Sequence, residues 1–261
     1  MVELKEITAY LDMLAPASLA EDYDNVGLLV GDKDSRINRL LVSLDTDEYV
    51  CREAAERGAE LIISHHPLLF RPAKAIVKQD SAGKTIYGLI TSGISLYAMH
   101  TNFDSVSGGL GDYFLDCACG VKPFNCIEGE FPNGIGRIAH LETETTFGEL
   151  MDHIKRNLGM KQMRYVGERD TIIKTVAACN GGGADLAYSA YSMGADVYLS
   201  GDLKYHHARY AYENGLCLAE IPHYEAEIIF CRHVAALLKA HFKDRCEILI
   251  SEQNKNPWKI K

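Results

Sequence analysis

Short apolar runs and amphipathic helical patterns alternate along almost the whole chain, and no other feature constrains its fold as strongly. A buried strand followed by a helix that carries the chain back across the sheet is the repeating unit of α/β folds. RLLVSLD (Arg39 to Asp45) reads as a buried strand, EYVCREAAERG as a helix closed by Gly58, and ELIIS (Glu60 to Ser64) as the next strand. SAGKTIYGLITSG is helical again, and ISLYAM (Ile94 to Met99) is a third strand. The expected fold is α/β with mainly parallel sheets.

The second half repeats this plan with different letters. TIIKTVAAC is a strand, ADLAYSAYSMG a helix closed by Gly194, DVYLS a strand, HHARYAYENG a helix and LCLAEI a strand. GAELIISHH and GADVYLSGD share the Gly-Ala that ends a helix, an acid, an apolar strand and a serine. Each third strand is followed by a histidine with an acid four residues on, His100 with Asp104 and His223 with Glu227. An internal duplication follows, giving two similar α/β lobes of roughly residues 1–120 and 121–261. The least regular stretch, Cys117 to Gly136, is expected to join them. The turns YDNVGLLVGD and SVSGGLGD punctuate the first lobe.

Composition narrows the function classes. Of 261 residues, 47% are apolar and 24% charged, ordinary values for a packed globular chain. The net charge of −9 gives nothing that would draw the chain to a phosphate backbone, so nucleic acid is an unlikely partner. No apolar run reaches membrane-spanning length, so no membrane partner is expected. The N-terminus MVELKEITAY has no basic region followed by an apolar stretch, which predicts a cytoplasmic location. The eight cysteines are dispersed without a C-x-x-C pair and are expected to be free thiols.

Chemistry concentrates at strand ends. In LIISHHPLLF a β-branched strand runs into His65 and His66, and Pro67 stops its simple continuation. Both rings are left at the carboxyl edge, where ligands bind in open α/β sheets. Adjacent strand residues point to opposite faces, so two neighbouring metals can take one ring each more easily than one metal takes both. In YAMHTNFD and in IPHYEAE the i, i+4 spacing puts His100 with Asp104, and His223 with Glu227, on one helical face. Imidazole with carboxylate and no paired thiolates suits two divalent ions of zinc, manganese, iron, cobalt or nickel. Such a pair activates a bridging water for hydrolysis.

In LSGDLKYHHARYA, Asp202, His206 and His207 follow the strand equivalent to that of His65. They read either as substrate or proton-carrying groups at the cleft or as a helix N-terminus capped by Ser200 or Asp202. His140, His153, His233 and His241 read as structural or surface groups. CNGGGADLA opens a helix after a strand but matches no nucleotide-binding fingerprint, so it reads as a tight turn facing the cleft. No G-x-S-x-G nucleophile elbow occurs.

The motifs APASLAEDYDNVGLLVGD, ISHHPLLF, HTNFDS, GADVYLSGDLKYHHA and PHYEAE span nearly the whole chain. In these the sequence resembles the GTP cyclohydrolase 1 type 2 homologue family, also called NIF-three-like, in its short form without an inserted middle domain. One departure is Pro222, where the family has Gly before the last His-Tyr-Glu. The resemblance implies two similar α/β lobes with a dinuclear metal site between them, and a toroidal homohexamer. It assigns metal ligation to His65, His66, Asp104, His223 and Glu227, with Asp104 the natural bridge and His100 close by as a candidate further ligand. His100, His206 and His207 are the catalytic candidates.

Two function classes follow. The first is a metal-dependent hydrolase acting on a nucleotide-like or other small molecule, with opening of the GTP imidazole ring implied by the resemblance. The second is a regulatory or metal-chaperone protein that senses or hands on metal without catalysis. DNA binding through a ring assembly ranks last, given the acidic charge balance.

Overall fold

The computed structural model describes residues 1–259, which divide into two compact units. The first comprises Met1–Phe103 and Phe230–Lys261, the second Asp104–Ile229. A division near residue 120 would place the C-terminal segment in the second unit. It belongs to the first because the last strand, Glu247–Ile250, pairs in parallel with Arg39–Ser43.

In the first unit a five-stranded sheet runs Glu247–Ile250, Arg39–Ser43, Leu61–Ser64, Ser95–Ala98 and Gly27–Val30. The first four are parallel, and Gly27–Val30 is an antiparallel edge against Ser95–Ala98. The segment read from sequence as a turn, YDNVGLLVGD, therefore contains a strand. Arg39–Ser43, Leu61–Ser64 and Ser95–Ala98 are almost wholly buried, which is why they read as nearly continuous apolar runs. Helix Glu48–Glu56 is N-capped by Asp47, whose side chain accepts from the Val50 N–H. Helix Ser81–Ser92 is capped by Asp80 and ends at Gly93 in the left-handed region. Val50, Cys51, Ala54 and Leu89 of these helices pack on Leu41, Ile62 and Leu96 of the strands.

In the second unit a six-stranded sheet runs Asn125–Glu128, Ile135–Thr146, Ile172–Ala178, Val197–Ser200, Cys217–Glu220 and Tyr165–Val166. Only the three strands from Ile172 to Glu220 are mutually parallel; the other pairings are antiparallel. The fold is thus mixed α/β, not mainly parallel. Each unit keeps the same parallel three-strand run, with helices at Ala187–Ser192 and Tyr205–Asn214 crossing over in the second. The stretch Cys117–Gly136, expected to be irregular, holds the end of helix Leu110–Cys119 and the strand Asn125–Glu128.

All eight cysteines are free thiols, six of them buried. No helix among the described residues is long and apolar enough to cross a membrane.

Candidate metal centre

In the first unit, three adjacent parallel strands end at one edge, and each delivers a polar side chain there. Asp45 lies two residues beyond Ser43, His65 and His66 follow Ser64, and His100 lies two residues beyond Ala98. One ligand nitrogen from each of His65, His66 and His100 falls within 4.8 Å of those of the other two. Their ring centroids are 5.1 to 5.7 Å apart.

Every one of these rings is held by its Nδ1. His65, fully buried, donates from Nδ1 to the Met99 carbonyl at 2.8 Å. His66 Nδ1 meets Asp45 Oδ1 at 2.8 Å, and His100 Nδ1 meets Asp24 Oδ1 at 2.9 Å. A carbonyl or carboxylate can only accept, so each Nδ1 carries a proton, and Nε2 is the nitrogen left to hold a cation. Asp24 is itself fixed by the N–H groups of Asn25 and Thr101, at 2.8 and 3.0 Å. Burial alone would raise its pKa, but the hydrogen bonds from His100 and Thr101 outweigh this and hold the carboxyl well below the ordinary range.

The second unit builds an equivalent edge. Asn180 lies two residues beyond Ala178, Asp202 two beyond Ser200, and His223 three beyond Glu220. His223 opens a short helix, His223–Glu227, and the expected i, i+4 convergence is present: its Nε2 lies 2.9 Å from Glu227 Oε2. Its Nδ1 meets Asp202 Oδ2 at 2.9 Å. The pKa of His223 is pushed up to about 9, first by the hydrogen bond to Glu227, against burial, and then by Asp202.

The buried Asn180 amide donates to Asp104 Oδ1 at 2.8 Å and to Glu227 Oε1 at 3.2 Å, tying the two carboxylates together. The triple glycine that follows Asn180 is explained by crowding. A Cβ on Gly181 would stand 2.1 Å from Glu227 Oε1, and one on Gly183 would stand 2.5 Å from Cys179 Sγ. Asp202 adopts φ of +55°, a left-handed conformation that Asp tolerates better than most residues. Below Asp104, the fully buried Arg137 donates to the Ser105 and Val106 carbonyls and pairs with Asp112, fixing the turn that carries Asp104.

Of the remaining sequence candidates, His207 is committed elsewhere. Its Nδ1 accepts from the Lys204 N–H at 3.1 Å at the start of helix Tyr205–Asn214, and its Nε2 donates to Asp185 at 2.9 Å, so both nitrogens are engaged. His206 is exposed beside Tyr205. Sequence reasoning did not single out Asp24, Asp45 or Asn180. The one signal for them was position, since each stands at or near a strand end or in the EDYDN turn.

The donor set suits a divalent cation. Histidines oriented through Nδ1 by carboxylates or carbonyls are the usual arrangement at zinc and related sites, where the outer partner sets the tautomer and the ring direction. In the first unit three imidazoles follow that rule, and in the second His223 follows it beside the carboxylates of Asp104 and Glu227.

The model of the Duf34/NIF3 (NGG1p interacting factor 3) family matches residues 2–257. The chain belongs to this family. A Clostridium perfringens protein named GTP cyclohydrolase 1 type 2 homolog is 38% identical over 99% of this chain and all of that one. Among Duf34/NIF3-like solved structures, a Staphylococcus aureus hypothetical protein is 30% identical with a TM-score of 0.91, covering 99% of each chain. Reduced HcgD from Methanocaldococcus jannaschii is 29% identical with a TM-score of 0.83, covering 96% of this chain and 98% of that one.

Proposed function

We propose that this Duf34/NIF3 chain binds two divalent metal ions through His65, His66, Asp104, His223 and Glu227, and hydrolyses a nucleotide-like or other small molecule. His100 is the further imidazole of the set. The observation that carries the reading is the common anchoring of His65, His66, His100 and His223 through Nδ1. A metal-ligating histidine is usually oriented by such a partner on its other nitrogen. Two bound ions would supply an activated water and a Lewis acid for the scissile bond.

The residues of the chain do the rest. Asp24, Asp45 and Asp202 engage Nδ1 of their imidazoles, which leaves Nε2 as the nitrogen to ligate. Asn180 keeps the carboxylates of Asp104 and Glu227 at a fixed spacing in the apoprotein, which lowers the reorganisation needed when cations arrive. Hydrolase chemistry accords with the names of relatives such as the Helicobacter pylori GTP cyclohydrolase 1 type 2, which is 31% identical over the full length of both chains. Opening of the GTP imidazole ring is therefore the first reaction to assay, and a toroidal homohexamer is the assembly to look for by light scattering.

The test is stoichiometry followed by turnover. Chelator-stripped protein titrated with zinc, manganese, iron, cobalt or nickel should take up two ions per chain. Metal-loaded protein should convert GTP or a member of a phosphoester and purine panel, and His65→Ala should lose both properties. Activity that survives His65→Ala refutes the reading. Reversible uptake of metal without turnover of any panel member refutes catalysis and leaves a metal-handling protein.

A further inference from the structure

Two features mark the segment after His66. From Phe70 to Asp80 it is exposed and has neither helix nor strand. Between Pro67 and Gln79 it carries Arg71, Lys74 and Lys78 and no acid, in a chain of net charge −9. Lys78 is directed away, with its ammonium 4.0 Å from the Tyr87 ring centroid. Arg71 and Lys74 remain as exposed cations directly after Phe70.

Phe70 is 40% exposed and Tyr23 63% exposed, yet both are placed. Their ring centroids are 6.1 Å apart, and the Phe70 ring is 6.2 Å from that of His100. Asn25 Nδ2 donates to the Leu69 carbonyl, which pins the Phe70 turn to the Tyr23 turn. Asp24, between Tyr23 and Asn25, holds His100 Nδ1 and the Thr101 N–H. Two exposed aromatic rings are thus fixed beside the histidine group by the same contacts that orient His100.

We infer that Phe70 and Tyr23, whose rings are tilted 56° to each other, form an aromatic platform with one stacking face and one flanking ring, which with Arg71 and Lys74 takes a planar aromatic ring bearing a phosphate or carboxylate. Exposed aromatic faces stack planar rings with little regard to the identity of the ring. A guanidinium one residue from Phe70 supplies two parallel donors for an anion. Glu21 and Asp22 beside Tyr23 repel negative charge from that side, so the anionic group is set toward Arg71. The inference rests on reading His65, His66 and His100 as the reaction centre, but binding to the platform needs no metal.

The experiment is isothermal titration of the chelator-stripped full chain with GTP, ATP, guanosine, tripolyphosphate and nicotinate, alongside elemental analysis of each variant as purified. GTP and ATP should bind, and loss of either the ring or the charge should weaken binding by about tenfold or more. Phe70→Ala and Tyr23→Ala should each weaken GTP by about tenfold, with Phe70→Trp restoring it. Arg71→Ala should weaken GTP and tripolyphosphate alike and leave guanosine unchanged. Binding of nicotinate in place of the nucleotides would keep the platform and assign its anion to a carboxylate. Wild-type affinity in both alanine variants, with metal content intact, overturns the platform while the metal reading stands. Ring-dependent binding to a protein that takes up no metal does the reverse.

Discussion

Gly181 offers a substitution whose effect on the metal centre separates from its effect on the backbone. Its φ is +62°, and an added Cβ would stand 2.1 Å from Glu227 Oε1, 3.0 Å from Glu227 Cδ and 3.3 Å from His223 Cε1. In Gly181→Ala the carboxylate oxygen must therefore retreat by about 1 Å to reach ordinary van der Waals separation. Gly159 provides the control, with φ of +68° and nothing within 4 Å of the same added atom. Both variants carry the left-handed penalty of about 1–2 kcal/mol, which lowers Tm by roughly 2–8 °C in a chain of this size. Only Gly181→Ala also displaces a proposed ligand, and a displacement of that size costs about 10- to 100-fold in metal affinity. Calorimetric titration of both variants with zinc, after differential scanning calorimetry of the stripped proteins, measures the two terms apart. Equal zinc affinity in Gly181→Ala and Gly159→Ala would show that Glu227 does not ligate.

Asp24→Ala should cut zinc affinity by about tenfold or more through misorientation of His100, read by the same titration. Arg137→Met should destabilise the stripped protein by about 3–5 kcal/mol, because it leaves Asp112 and the turn carbonyls without their buried donor. A shift in urea midpoint equivalent to less than about 1 kcal/mol would remove Arg137 from its assigned role. Glu53 accepts from Ser251 Oγ, the Glu252 N–H and Arg57. Burial raises its pKa, but these bonds outweigh burial and leave it below the ordinary value. Its contribution is therefore complete above about pH 4.3 and lost as pH falls through the folded pKa. Glu53→Gln should lose about 2 kcal/mol at pH 7 and show a flatter decline of urea midpoint on acidification; a decline as steep as wild type would contradict this.

The parallel strands were legible in the sequence because their burial on both faces writes itself as apolar runs. ELIIS and DVYLS became Leu61–Ser64 and Val197–Ser200 almost residue for residue. Helix ends were legible through glycine, as at Gly58 and Gly93, both in the left-handed region. The antiparallel strands were not. Gly27–Val30 is only half-buried and finds its partner far along the chain at Ser95–Ala98, so no local pattern announces it. The C-terminal strand joins the first unit for the same non-local reason. The histidines of the proposed site were visible because each follows a strand that was visible. Their partners were hidden, since Asp24 lies in a loop without periodicity and Asn180 in a run that reads only as a glycine turn.

The two units share more than strand order. In each, a first strand is followed by an orienting side chain, a second by an orienting or ligating one, and a third by a histidine held through Nδ1 to a carboxylate. The roles have diverged: the second strand of the first unit ends in His65 and His66, whereas that of the second unit ends in Gly201 and Asp202. Gly201 cannot be enlarged, because a Cβ there would meet the Gly181 and Ile221 carbonyl oxygens at 2.7 and 2.9 Å. A single orienting carboxylate, Asp202, is what remains possible at that tight junction, and it accounts for His223 being the one strand-end imidazole of its unit. The side chains that each strand-end loop can carry thus depend on how closely the loop packs, and packing of this kind is a property of the backbone that a list of histidines cannot reveal.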